Sequence, residues 1–252
     1  MLKIKNNKDS AEIYISGDIV DDDMGGVLEA WDADAGYEWP GDIKKQLDEI
    51  GDKDLTVYIN SDGGSVPAGV AIANMIARHK GHTTAVVDGW ACSIATQIFF
   101  AADTRRMPSN AYLMIHKPSC ALAGDANDFR HMIETLDVIQ EGLETTYNAA
   151  AREGITPEQI HKMVEDTTWL TGDKARELFN IETVEATKTA ACVSGDVLLR
   201  ISDNMPQGFA AKLSIDDIKP KATAAPSEDI KKNHINAQRA EIELALTEGE
   251  LL

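Results

Sequence analysis

Apolar and polar positions alternate with a period of two over residues 12–19, which places Ile13, Ile15 and Ile19 on one face of a strand. Over residues 42–50 the period changes. Ile43, Leu47 and Ile50 recur at helical spacing, and Gly51 ends the run. Residues 55–59 (LTVYI) are a short apolar, β-branched run, the pattern of a buried strand, and Asn60-Ser61-Asp62-Gly63-Gly64-Ser65 breaks it sharply. A helix is predicted over 67–78, with Val70, Ala73, Ile76 and Ala77 on one face. A second buried strand, 83–87, leads to Gly89-Trp90-Ala91-Cys92-Ser93, and a helical run over 94–102 leads away. Met107 and Pro108 precede a third apolar strand, 111–115, which His116 closes and Pro118 follows.

Beyond a loop or edge strand at 119–124, residues 125–152 read as one long helix. Phe129, Met132, Ile133, Leu136, Ile139, Leu143 and Tyr147 give it a continuous apolar stripe. One monomer has little left to cover that stripe, so burial between subunits of a closed assembly is expected. Gly154 stops the helix. Thr156 caps the next one with Pro157 in its first turn, and Thr171 caps a helix over 172–179 before a last short strand at 181–184. Residues 21–41, acidic and glycine-rich with Trp31, Tyr37 and Trp39, read as a loop with partial helical character. Strand and helix alternate through 55–120, which implies an α/β layer with right-handed crossovers. After Glu185 periodicity weakens. Residues 219–227 (KPKATAAPS) resemble a linker and 237–252 a terminal helix, so the expected division is a domain over 1–187 and an extension over 188–252.

The formal net charge of −18 argues against a nucleic-acid surface. No apolar run is long enough to span a bilayer, and the first residues lack the apolar core of a signal peptide, so a cytoplasmic location is expected. Three cysteines do not make a disulfide framework, and Cys92 reads as a small buried residue. No Cys or His pair has zinc-ligand spacing, and neither metal nor cofactor is expected. His161 and Glu165, one helical turn apart, read as a solvated face.

Three features carry the candidate chemistry. Adjacent glycines, Gly63 and Gly64, between a strand and a helix leave backbone N–H groups open to a ligand, or serve a tight turn needing positive φ. The Lys-Ser/Thr pair of a phosphate loop does not follow them. Ser93 stands at a strand-to-helix turn among small neighbours, where a serine is either a helix cap or a nucleophile beside unpaired helix amides. His116 ends an apolar strand, where its side chain reaches a cleft. The other histidines (His79, His82, His131, His161 and His234) fall in polar or helical contexts. A serine, a base and backbone donors are the parts that acyl transfer needs.

Tyr58-Ile59-Asn60-Ser61-Asp62-Gly63-Gly64-Ser65-Val66, Gly89-Trp90-Ala91-Cys92-Ser93 and Met114-Ile115-His116-Lys117-Pro118 resemble, in order and spacing, motifs of the ClpP family of serine peptidases. The resemblance covers about residues 12–186. Asp88-Gly89 and Thr168-Trp169-Leu170-Thr171, with the C-terminal segment, look most like the head-maturation proteases of tailed phages and prophages. The resemblance implies an α/β fold of repeated β-β-α units with a handle helix at 125–152, as in ClpP and crotonase-like proteins, and ring-shaped homo-oligomers. It carries over Ser93 as nucleophile, His116 as general base, and the backbone N–H groups of Gly64 and Ile94 as oxyanion donors. A peptide would lie extended between Gly63, Ser65 and Val66 on one side and Pro118 and Ser119 on the other.

Two departures stand out. The family's acid lies two residues before an aromatic. With Trp169 as that aromatic, Thr167 takes the place and the nearest carboxylate is Asp166, so either residue is left to orient His116. Few residues precede the first strand, where the family has axial loops that dock an unfoldase ATPase. That argues against such a partner and for processing of capsid or scaffold proteins, in the host cytoplasm or the assembling prohead. The alternatives are a proteolytic subunit working with an ATPase, a catalytically weak ring or scaffold subunit lacking the acid, and a crotonase-like acyl-CoA enzyme. Intact Ser93 and His116 speak against the scaffold, and the crotonase chemistry does not need the pair.

Overall fold

A computed structural model describes residues 4–31 and 36–184. The extension predicted over 188–252, with its linker and terminal helix, lies outside the described residues, as do Cys192 and His234.

The strand patterned by Ile13, Ile15 and Ile19 is β2 (Ser10–Ile19), and its alternate side chains are buried. It pairs antiparallel with β1 (Ile4–Asn6) and parallel with β4 (Asp54–Gly64), which pairs parallel with β5 (Thr83–Cys92). Between them run α1 (Asp22–Ala30), β3 (Tyr37–Glu38), α2 (Pro40–Ile50) and α3 (Val66–Ala77). Parallel neighbours need a crossover, and the helices supply it. The chain continues through α4 (Ala95–Phe100), β6 (Thr104–Pro108), β7 (Tyr112–Ile115), α5 (Ala126–Ala150), α6 (Pro157–Glu165), β8 (Thr168–Thr171), α7 (Gly172–Leu178) and β9 (Glu182–Val184). The main sheet runs β1-β2-β4-β5-β6-β9.

β5 forks. Its first half, Thr84 to Val86, pairs with β6, and its last residues, Trp90 to Cys92, pair with β7. β7 in turn holds β8 antiparallel. The fork parts β6 from β7, while the end of β5 stays paired with β4 through Ser61 and Ala91 and is set beside the end of β7.

The glycine pair does not end β4, contrary to the predicted break at residue 60. Pairing with β2 persists to Gly64, because β2 is itself irregular between Ser16 and Asp18 and follows the bend. The Ser61 hydroxyl fastens this place by donating to the Gly17 carbonyl at 2.6 Å. Thr104–Pro108, expected only as a lead-in, is a strand of its own, and Thr168–Thr171 is a strand that the pattern did not indicate.

The long helix α5 starts at a capping box in which Asp125 accepts from the Asn127 and Asp128 amides while the Asp128 carboxylate accepts from the Asp125 amide. Its apolar stripe divides. Leu143, Tyr147 and Ala150 are buried against the core, whereas Phe129 and Ile133 on the first half are exposed, as is Val138. Among the described residues, no helix is long and apolar enough to cross a membrane.

Candidate active site

Ser93 sits where β5 passes into α4, with φ 54°, in the left-handed region. Serine there is uncommon and its strain must be held by neighbours. Its amide donates to the Met114 carbonyl at 2.9 Å, which extends the β5–β7 ladder by one bond. Its carbonyl accepts from the Thr96 amide at 3.0 Å and the Thr96 hydroxyl at 2.6 Å. Because the serine amide is spent on Met114, it is not a donor for an incoming oxyanion.

Gly63 lies directly against the serine. A Cβ on Gly63 would come within 2.7 Å of Ser93 Cβ and 2.8 Å of the Cys92 carbonyl oxygen, and its φ is +99°. The glycine is required by space and by backbone angle together. The Gly63 amide is engaged with Ser61 Oγ at 3.1 Å. Gly64 differs. In a parallel ladder one residue of each pair makes both bonds, and Ile19 does so here, its carbonyl accepting from the Ser65 amide at 2.8 Å. The N–H and C=O of Gly64 therefore point away from β2, toward the β5 side, and the residue is exposed. On that same side, Ile94 N lies 3.1 Å from where a Gly63 Cβ would stand.

His116 follows β7. Register with β5 places Met114 beside Cys92, so the next residues of both strands emerge together, and His116 Nε2 lies 2.7 Å from Ser93 Oγ. The ring is largely buried, and desolvation holds its pKa below the usual value of 6.5. It is therefore neutral at pH 7 and able to accept a proton. Cys92 is not a rival nucleophile. It is buried, and desolvation, reinforced by the charge of Asp62, pushes its thiol pKa far up.

The structure brings Ser93 and His116 together but does not bring Asp166 to the ring. Asp166 is the C-cap of α6, exposed, and its carboxylate accepts from Lys162 Nζ at 2.7 Å. Thr167 is nearer in register. Ile115 pairs with Thr168, so one further antiparallel step sets Thr167 opposite His116. Thr167 has φ 52°, and it and Ser93 are the non-glycine residues of positive φ among those described. No described carboxylate hydrogen-bonds His116, and it is burial that lowers its pKa. Ser65 and Val66 are half-buried at the start of α3, while Pro118 and Ser119 begin the segment beyond His116, with Ser119 exposed. Sequence reasoning missed Thr96 and Tyr147, which stand behind the serine. The Tyr147 hydroxyl lies 2.7 Å from Thr96 Oγ1 in the interior. An i, i+3 hydroxyl after a nucleophile is the signal that could have pointed to Thr96.

The family model for Clp protease matches residues 45–187. The chain is 35% identical over 140 residues to ATP-dependent Clp protease proteolytic subunit 1 of Streptomyces coelicolor and 34% identical over 140 residues to proteolytic subunit 3 of Streptomyces avermitilis. Each match takes in 54% of this chain and 62% of the relative, so the chain spans under two thirds of the length of these curated relatives. Among solved structures it is similar to an Asn-to-Asp mutant of ClpP1 from Listeria monocytogenes. The TM-score is 0.55 at 25% identity, covering 69% of this chain and 91% of that one. With a family match over more than half its length and the same fold in a solved relative, the chain belongs to the Clp protease family.

Proposed function

We propose that the protein is a serine endopeptidase working through an acyl-enzyme. The observation that carries the reading is the 2.7 Å contact between His116 Nε2 and Ser93 Oγ at a strained strand-to-helix turn. His116 takes the hydroxyl proton as Ser93 Oγ attacks the peptide carbonyl. The amides of Gly64 and Ile94 receive the oxyanion, the first because the β2–β4 register turns it toward the β5 side. His116 then gives its proton to the leaving amine, and water, activated by the same ring, releases the acyl group. The peptide backbone runs beside Gly63, Ser65 and Val66 on one flank and Pro118 and Ser119 on the other.

Thr167 is the better-supported orienting residue, because the β7–β8 register leads to it while Asp166 faces Lys162. Its hydroxyl makes no hydrogen bond to a described residue in the free protein, and catalytic bonds of this kind commonly tighten only with substrate bound. The protein acts as a ring-shaped homo-oligomer on capsid or scaffold proteins during phage head maturation, in the host cytoplasm or the prohead. The exposed Phe129 and Ile133 on the handle helix support assembly.

The test is fluorophosphonate labelling followed by peptide mapping, with cleavage of neighbouring capsid proteins read by mass spectrometry. Modification of Ser93 and discrete capsid cleavages are expected. No labelling would overturn the enzyme reading. A second reading, a proteolytic subunit served by an ATPase, is favoured by the names of the curated relatives. Degradation of a folded protein only when such an ATPase and ATP are added would select it over head maturation.

A further inference from the structure

Behind the serine lies a buried polar chain that leads away from the reacting atoms. Thr96 Oγ1 donates to the Ser93 carbonyl at 2.6 Å. A threonine hydroxyl has one proton, so its 2.7 Å contact with Tyr147 is a bond in which the tyrosine donates. Tyr147 is fully buried, and burial pushes its phenol pKa up, so it stays a neutral donor. Beside it, Gln97 Nε2 donates to the Leu143 carbonyl at 3.3 Å. Thr96 and Gln97 belong to α4, the helix that starts at the nucleophile, whereas Leu143 and Tyr147 belong to the long helix α5. Buried networks of this kind are costly when broken and fix one conformation when complete.

Resting on the reading of Ser93 as nucleophile, we infer that Thr96 and Tyr147 are positioning residues: their hydroxyl relay, anchored on α5, holds the Ser93 carbonyl and thereby its left-handed backbone. Ser93 needs such a hold, because φ 54° is disfavoured for serine and the relay grips the carbonyl that follows that torsion. The Thr96 amide holds the same carbonyl at 3.0 Å, so loss of the hydroxyl bond loosens the turn without releasing it, and Oγ spends less time in line with His116. The two residues touch neither substrate nor the reacting atoms. The relay also makes the nucleophile sensitive to the position of α5, whose first half is exposed.

The experiment compares Tyr147→Phe, Thr96→Val, Thr96→Ser and the Tyr147→Phe/Thr96→Val double variant in the full-length protein, with Thr145→Val as control. Thr145 lies on the exposed face of α5 and bonds the Glu141 carbonyl. Each is measured for the rate of fluorophosphonate labelling, kcat, KM and thermal midpoint. Loss of one buried hydrogen bond corresponds to about two- to thirteen-fold. Tyr147→Phe and Thr96→Val are each expected to slow labelling and kcat by that factor with KM unchanged. Thr96→Ser retains the rate, the double variant is no slower than Thr96→Val alone, and Thr145→Val matches wild type. A lower midpoint with an undiminished labelling rate would make the relay merely structural and overturn the inference, as would losses that multiply in the double variant. Absence of labelling in wild type would instead refute the peptidase reading. Should Tyr147→Phe fail to fold, Thr96→Val against Thr96→Ser decides the matter alone.

Discussion

The β5–α4 junction and the α6–β8 junction each pass through one left-handed residue, Ser93 at φ 54° and Thr167 at φ 52°. They are held very differently. Ser93 has its amide on Met114, its carbonyl on Thr96, its hydroxyl on His116 and Gly63 against its Cβ. Thr167 has its amide on the Val164 carbonyl at 3.3 Å, with Asp166 turned to Lys162 on one side and the Thr168 hydroxyl turned back to the Met163 carbonyl on the other. A left-handed conformation costs roughly 1–2 kcal/mol for a residue with a Cβ. At Ser93 the surroundings over-determine it. At Thr167 far fewer bonds do, so less of the surrounding structure opposes a change there.

The largest break is at the first junction. Ser93→Ala should remove fluorophosphonate labelling and lower turnover by about 10³-fold or more, with assembly unchanged by light scattering. Peptide cleavage at the wild-type rate, once contaminating protease is excluded, would refute the assignment. Gly63→Ala comes next. The new methyl meets Ser93 Cβ at 2.7 Å and backbone at 2.8 Å, so the turn has to move, and a loss of about a hundredfold in kcat is expected, with a lower thermal midpoint.

The second junction should respond in the opposite sense. Thr167→Asp is expected to raise turnover by about tenfold, because a carboxylate there would stabilise the imidazolium. Thr167→Gly should raise stability by about 1 kcal/mol, the strain being relieved, while turnover falls. Calorimetry and steady-state kinetics on the same preparations separate the two effects.

The acid limb of the pH–rate profile sharpens the contrast. Burial lowers the His116 pKa below 6.5, so the ring remains neutral, and activity is expected to persist, to a pH below that value. The sign for stability agrees. The unfolded chain binds the proton first as pH falls, so the contribution of the neutral ring is present above about 6.5 and lost below it. In Thr167→Asp the limb should move to higher pH. Smallest of all, Asp166→Asn should change turnover by less than about twofold. A loss of 10²–10⁴ would restore Asp166 as the orienting acid.

What the sequence made legible was local. Ile13, Ile15 and Ile19 marked their strand, Thr156-Pro157 and Thr171 marked their helix starts, and His116 stood out as the histidine that ends an apolar strand. The elements it missed depend on partners distant in the chain. Thr104–Pro108 carries two arginines and a proline, yet it pairs because β5 offers Thr84 to Val86 as a template. Thr168–Thr171 is four residues long and exists as a strand against β7. The Gly63-Gly64 pair reads as a breaker because glycine is costly in strands, but the irregular β2 keeps pairing with it. The stripe of α5 announced an apolar face without saying that only its second half meets the core of its own chain.

The fork in β5 leaves His116 and Thr167 on one two-stranded wing, β7 with β8, and the nucleophile on the trunk. The distance between the two parts is set by the β5–β7 register, in which Trp90, Ala91 and Cys92 pair with Tyr112, Leu113 and Met114 and the Ser93 amide bonds the Met114 carbonyl. Base and orienting position therefore share one register, and a shift of β7 against β5 would carry both away from Ser93 together.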